Sequence, residues 1–134
     1  LNEQYGMILV GAPARATDDT NTNPITGAGA VFSYLRDSSG TWTANQVLVG
    51  QGQDSSPGDY IGSVTSADGE VLAVASTVHA YDDQGTNYMA GAGAVWIWRY
   101  FGTTPSWHLE QKLVASDRAA ADTLWYSLSN ANNT

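Results

Sequence analysis

The chain has 134 residues, enough for one ordinary domain, with 43% hydrophobic residues, 13% charged residues and no cysteine. Five basic against thirteen acidic residues give a net charge of −8. That balance disfavours nucleic-acid and anionic-membrane surfaces, both of which need Lys and Arg. The missing cysteines exclude disulfides and thiolate metal sites, and no apolar run approaches the roughly 20 residues of a membrane-spanning helix.

Five Trp, seven Tyr and 14 Gly favour short strands joined by many turns. In chain order, Met7–Ala12 reads as a strand ending in Gly-Ala-Pro. A second strand follows Gly29-Ala30-Val31-Phe32. The turn Asp37-Ser38-Ser39-Gly40 leads into a further strand anchored by Trp42. Strands are then expected at 60–66, Val71–Ser76, 92–100, 107–115 and 124–130. Between the first two of these, Asp68-Gly69 is a strong hairpin signal. Along 92–100, Trp96, Trp98 and Tyr100 alternate with Val95, Ile97 and Arg99, the period of a strand. Gly102 and Pro105 break the chain before 107–115.

The chain repeats itself. Gly27-Ala28-Gly29-Ala30-Val31 recurs as Gly91-Ala92-Gly93-Ala94-Val95, and the same offset aligns Val10 with Val74, Asp18-Asp19 with Asp82-Asp83 and Thr22-Asn23 with Thr86-Asn87. One inserted residue later, Trp42 matches Trp107 and Leu48 matches Leu113; the first offset then returns, setting Ser63 on Ser127. Each repeat reads as four strands, and the chain is cut out of phase with them. Residues 1–58 carry the second to fourth strands of one unit, 59–115 a complete unit, and 116–134 the first strand of the next.

These residues resemble the FG-GAP repeats of integrin-like β-propellers. The resemblance rests on Ile8-Leu9-Val10-Gly11-Ala12-Pro13, Asp59-Tyr60-Ile61-Gly62-Ser63-Val64, Leu72-Ala73-Val74, and the Gly-Ala-Val-aromatic strands at Gly29–Phe32 and Gly93–Trp96. It covers nearly the whole chain. The aromatic-Gly step departs from the pattern, as Ile61-Gly62 in one copy and Trp125-Tyr126 in the other. Some family members carry a calcium loop before the second strand; Ser66–Glu70 holds too few spaced oxygens for one and reads as a turn. The fold this implies is all-β, a partial β-propeller of two four-stranded blade equivalents cut out of phase. One blade cannot bury both faces alone, and closed rings take about four to eight blades. The expected partners are therefore further blades, from the same longer chain or from copies of itself.

In such a fold the loops at 13–27, 50–59, 77–91 and 115–123 open on one side and carry Asp18, Asp19, Asp54, Asp59, Asp82, Asp83, Asp117 and Asp122. Asp18, Asp19 and Asn23, with their counterparts Asp82, Asp83 and Asn87, carry two readings. They are oxygen ligands for Ca²⁺, or they close their loops as Asx turns. Asp54, Asp59, Asp117 and Asp122 are expected to cap turns. Trp42, Trp96, Trp98, Trp107, Trp125, Tyr34, Tyr60 and Tyr100 are expected to pack between units, and Tyr81 and Tyr88 to contact a ligand. His79 and His108 have no nucleophile at matching spacing, and Gly27-Ala28-Gly29 leads into a strand rather than a phosphate-binding helix. The glycines fit a close approach of backbones instead. The expected function is a non-catalytic interaction or structural module, outside the cell or on its surface, that faces protein or glycan. A carbohydrate-binding lectin-like propeller, and a fragment of an enzyme whose active site lies elsewhere in the ring, are the alternatives. No nucleic-acid partner and no membrane insertion are expected.

Overall fold

The computed structural model describes residues 6–17, 22–50 and 58–124. Seven strands and no helix are present among them: β1 (Met7–Ala12), β2 (Ala30–Arg36), β3 (Trp42–Leu48), β4 (Val64–Asp68), β5 (Val71–Ser76), β6 (Ala94–Phe101) and β7 (Ser106–Leu113). They form two antiparallel sheets, three-stranded β1-β2-β3 and four-stranded β4-β5-β6-β7, each with sequential neighbours paired.

The two sheets repeat each other in detail. The register shifts between Ser33 and Tyr34 in one and between Ile97 and Trp98 in the other, so Asn45 and Glu110 are the extra residues of matching bulges. In the first bulge the Ser33 hydroxyl takes bonds from Gln46 N (3.1 Å) and Asn45 Nδ2 (3.1 Å), which keeps a buried serine satisfied. The hairpins follow their turn residues: Gly69, Gly40 and Gly102 all take positive φ at the loops closing β4–β5, β2–β3 and β6–β7.

Unlike faces of the repeat meet at the core. Cross-strand pairing puts Met7, Leu9, Val31, Leu35 and Leu48 on one face of the first sheet. This face packs on Leu72, Val74, Trp96, Trp98, Tyr100 and Trp107 of the second. The repeat counterparts of Leu9, Val31 and Leu48 are Ala73, Val95 and Leu113, which lie on the opposite face of the second sheet in a smaller cluster. Burying each large aliphatic or aromatic side chain contributes about 1.5–3 kcal/mol. At the outer edge, the Gln46 amide donates to Trp107 O (2.9 Å) and accepts from Trp107 N (2.8 Å), joining β3 to β7 through a side chain.

Several boundaries differ from expectation. The strand expected at 60–66 is β4, Val64–Asp68, because Tyr60 and Ile61 are spent on the first sheet: Tyr60 N bonds Gly27 O (2.8 Å), Ile61 N bonds Ala28 O (3.0 Å), and Ile61 bridges Gly29. Tyr60, with φ of 52°, is exposed rather than packed between sheets. β6 begins at Ala94 rather than 92, since Gly93 has positive φ and bonds His79 O, and β7 spans Ser106–Leu113 rather than 107–115. Trp42 is exposed on the face of the first sheet turned away from the second. The strand expected at 124–130 lies outside the described residues beyond Leu124, as does Trp125. Ala121 N, Thr123 N and Leu124 N bond Ala90 O, Gly91 O and Ala92 O, as Gly58, Tyr60 and Ile61 do with Thr26, Gly27 and Ala28. The counterpart of Asp59 is therefore Asp122, one residue short of the offset that sets Ser63 on Ser127.

The glycines of the repeated Gly-Ala-Gly-Ala motif permit this crossing. A Cβ on Gly29 (φ +83°) would lie 2.2 Å from the Ile61 carbonyl oxygen, and one on Gly93 (φ +84°) 2.8 Å from Leu124 backbone N and O. Neither clash is with a flexible side-chain tip, so the backbones themselves would have to part. Gly29→Ala is expected to destabilise the chain by about 2–5 kcal/mol, combining overpacking with a left-handed backbone. Urea unfolding followed by tryptophan fluorescence measures it; a loss under about 1 kcal/mol would mean the crossing is not tight.

Candidate functional site

The loop between β5 and β6 is built on a frame that the β1–β2 loop copies. Met89 N bonds Ala80 O (2.7 Å) as Ile25 N bonds Ala16 O (2.7 Å), and Gly93 N bonds His79 O (2.8 Å) as Gly29 N bonds Arg15 O (3.1 Å). What differs is the side chains. Thr17 and Pro24, a bridged pair in the first copy, are Tyr81 and Tyr88 in the second.

Asp82 locks the second loop. Its Oδ1 accepts from Thr86 N (2.7 Å) and Gln84 N (3.1 Å), and its Oδ2 from Asn87 Nδ2 (2.5 Å) and Thr86 Oγ1 (3.0 Å). Asp82 N returns a bond to Thr86 O (3.0 Å). The Thr86 backbone bond, aided by Asn87, holds the Asp82 carboxyl at about 2, against the opposing effect of burial. The β2–β3 turn uses the same device: Asp37 Oδ1 accepts from Ser39 N (2.8 Å), Ser39 Oγ (2.6 Å) and Thr41 N (2.9 Å). Those bonds, with Ser39 first, lower the Asp37 carboxyl as well. Both segments read Asp-x-x-Gly-Thr, so the short side chain reaches the amides two and four residues on. From behind, Arg118 donates to Ala80 O (2.7 Å) and Asn87 O (2.9 Å), strapping both limbs of the loop.

Between these limbs lies a cavity of about 390 Å³, lined by Gly58, Asp59, Val78, Ala80, Tyr81, Tyr88, Ala90 and Gly91. Tyr81 and Tyr88 stand edge to face with centroids 5.4 Å apart, and the Tyr88 ring is exposed. The two residues expected to contact a ligand are thus brought together, with a carboxylate beside them.

That carboxylate opens a polar chain which sequence reasoning missed. Asp59 Oδ1 lies 3.1 Å from His79 Nδ1, and Lys112 Nζ lies 2.8 Å from His79 Nε2 and 2.6 Å from Asp82 O. Asp59 is 4% exposed and His79 0%. The Ser76 hydroxyl bonds the Asp59 carbonyl. An ammonium only donates, so His79 accepts at Nε2 and carries its proton on Nδ1, facing Asp59. His79 thus stands between the two residues, hydrogen-bonded to Lys112 and at ion-pair distance from Asp59 without hydrogen-bond geometry to it. His79 also stands edge-on to Trp96, with centroids 5.0 Å apart. Asp59, expected to cap a turn, places its carboxylate 3.1 Å from the buried His79 ring. One signal was available in the sequence: Lys112 stands on the inward side of a strand, where the first copy has Val47.

Asp18 and Asp19 lie outside the described residues, and so does Asp54. Asn23 is exposed, and Asp83 is exposed and takes a bond from Gln84 Nε2 (3.1 Å). Among the described residues no three His, Asp or Glu side chains converge as a metal site would require. Asp122 caps a turn as expected, accepting from Ala119 N (2.6 Å). His108 stacks on Phe101 at the surface, with ring centroids 4.5 Å apart. The chain matches no protein-family model and no curated protein sequence.

Two outcomes follow from this geometry. Because the Asp82 carboxyl is held below its unfolded value of 3.8, its stabilisation is complete above that value. It is lost as pH falls towards about 2. Melting temperature is expected to drop over that window, and Asp82→Asn to flatten the drop. Lys112→Met strands the buried Asp59 charge and is expected to cost about 3–5 kcal/mol in urea unfolding. The double variant Lys112→Met, Asp59→Asn is expected to recover part of the loss, and equal losses in both would refute the linked pair.

Proposed function

We propose that the chain is a non-catalytic binding module, part of an integrin-like β-propeller working outside the cell or at its surface, which contacts glycan through the cavity at its loop end. The observation that carries this reading is the pairing of Tyr81 and Tyr88 beside Asp59 on a loop fixed by Asp82 and Arg118. Ring faces suit the apolar C–H side of a sugar. Among the described residues no basic side chain lines the cavity, which favours neutral or cationic ligands over anionic ones. The propeller part of the reading is supported by sequential antiparallel strand order within each sheet and by the stacking of unlike faces, the arrangement that lets sheets add radially.

A glycan array with the purified chain tests the binding role. Binding of at least one glycan class is expected, weakened about tenfold or more by Tyr88→Ala, since a lost aromatic stack is worth on the order of 1 kcal/mol plus its buried area. An empty array, or a Tyr88→Ala profile equal to that of the unaltered chain, would sink the reading.

A further inference from the structure

The internal sheet–sheet contact is heterologous: each sheet offers one face of the repeat and receives the other. In the second sheet the receiving face is closed. Val74 is 1% exposed and Trp107 2%. The same positions in the first sheet, Val10 and Trp42, are 46% and 37% exposed, and around them Ile8, Phe32, Tyr34 and Val47 are only partly buried. Two of the features that close the second sheet, a glutamine amide and a strand bulge, have counterparts on the far side of the chain, whereas Leu35 corresponds there to the exposed Arg99. The Gln46 amide that grips the Trp107 backbone corresponds to Gln111, which is exposed at the matching bulge of β7. The position of Trp107 opposite Tyr100 corresponds to that of Trp42 opposite Arg36.

The polar lock repeats only in part: Lys112 corresponds to Val47, while the other two positions hold a charged pair. Asp59 meets His79. The counterpart of His79 is Arg15, whose guanidinium lies over Phe32 at 5.1 Å much as His79 borders Trp96. The counterpart of Asp59 is Asp122, set by the shared bonds of Leu124 and Ile61. Asp122 against Arg15 is therefore an oppositely charged pair whose two halves lie at different ends of one chain.

We infer that the outward face of the first sheet is a docking surface for a second copy of this chain, joined head to tail, with Gln111 of one copy on the Trp42 backbone of the next and Asp122 facing Arg15. This rests on the propeller part of the proposed function. The occupant is fixed by complementarity: the hydrogen-bonding residue, the charge and the bulge register that close this face inside the chain recur on the chain's own far side.

Light scattering over a range of concentrations tests it with the whole chain. The expected mass is a multiple of 14.2 kDa that rises with concentration. Val10→Glu is expected to return the mass to the monomer with unchanged circular dichroism. Gln111→Ala is expected to weaken association about tenfold, the scale of a lost pair of hydrogen bonds. Arg15→Asp and Asp122→Arg are each expected to lower the mass, and the double swap to restore it. A 14.2 kDa monomer at all concentrations would overturn the inference. So would a high mass indifferent to Gln111→Ala and to both charge variants, which marks unspecific aggregation. Array binding is read on the same samples, so a monomer that still binds glycan through Tyr88 overturns the head-to-tail contact alone and leaves the binding role standing.

Discussion

The closeness with which the chain crosses from one sheet to the next governs most of the structure. Gly29 admits the Ile61 backbone at a distance no Cβ would tolerate, and Gly93 does the same for Leu124. Once the backbones touch there, the chain entering the second sheet is tied to the end of the first by three amide bonds. The direction of the second sheet is then limited, and only one of its faces can meet Met7, Val31 and Leu48. The large aromatics Trp96, Trp98 and Trp107 stand on that face and fill the wedge that the crossing leaves.

The polar groups near this wedge follow from the same constraint. Asp59 lies within the crossing itself, between Gly58 and Tyr60, and its side chain meets His79. A carboxylate in so dry a place needs a counter-charge, and Lys112 carries one on the other side of the imidazole. The lysine then has donors to spare, and one of them takes the Asp82 carbonyl. The loop that carries Tyr81 and Tyr88 is thereby joined to the interior as well as closed on itself, which gives a cavity with walls set in advance of any ligand.

Much of this was legible in the residues and some was not. Met7–Ala12 and Val71–Ser76 were readable to the residue, because alternating apolar runs end at Gly-Ala-Pro on one side and Asp-Gly on the other. The burial of Trp96, Trp98 and Tyr100 followed from their period. The start of β4 was not legible, since Tyr60 and Ile61 look like strand residues but bond across to the preceding sheet, a non-local use that no local pattern encodes. Tyr81 and Tyr88 were readable as a pair because their loop is long and otherwise polar. The chain from Asp59 to Lys112 was not: its members are separated widely in sequence, and His79 aligns with an arginine, which hid its role. Trp42 holds the repeat position of the buried Trp107 and is exposed because it stands on the face of the first sheet turned away from the second.

The grip of Gln46 on Trp107 bears on how such sheets stay apart. An outer strand normally presents bare amides and carbonyls, and these can template the growth of a continuous sheet from molecule to molecule. Here a side-chain amide occupies one donor and one acceptor of β7 and imitates a peptide group without extending the ladder. The outer strands of the two sheets are thus tied by a single glutamine, and β7 has one donor and one acceptor fewer to offer to a growing sheet.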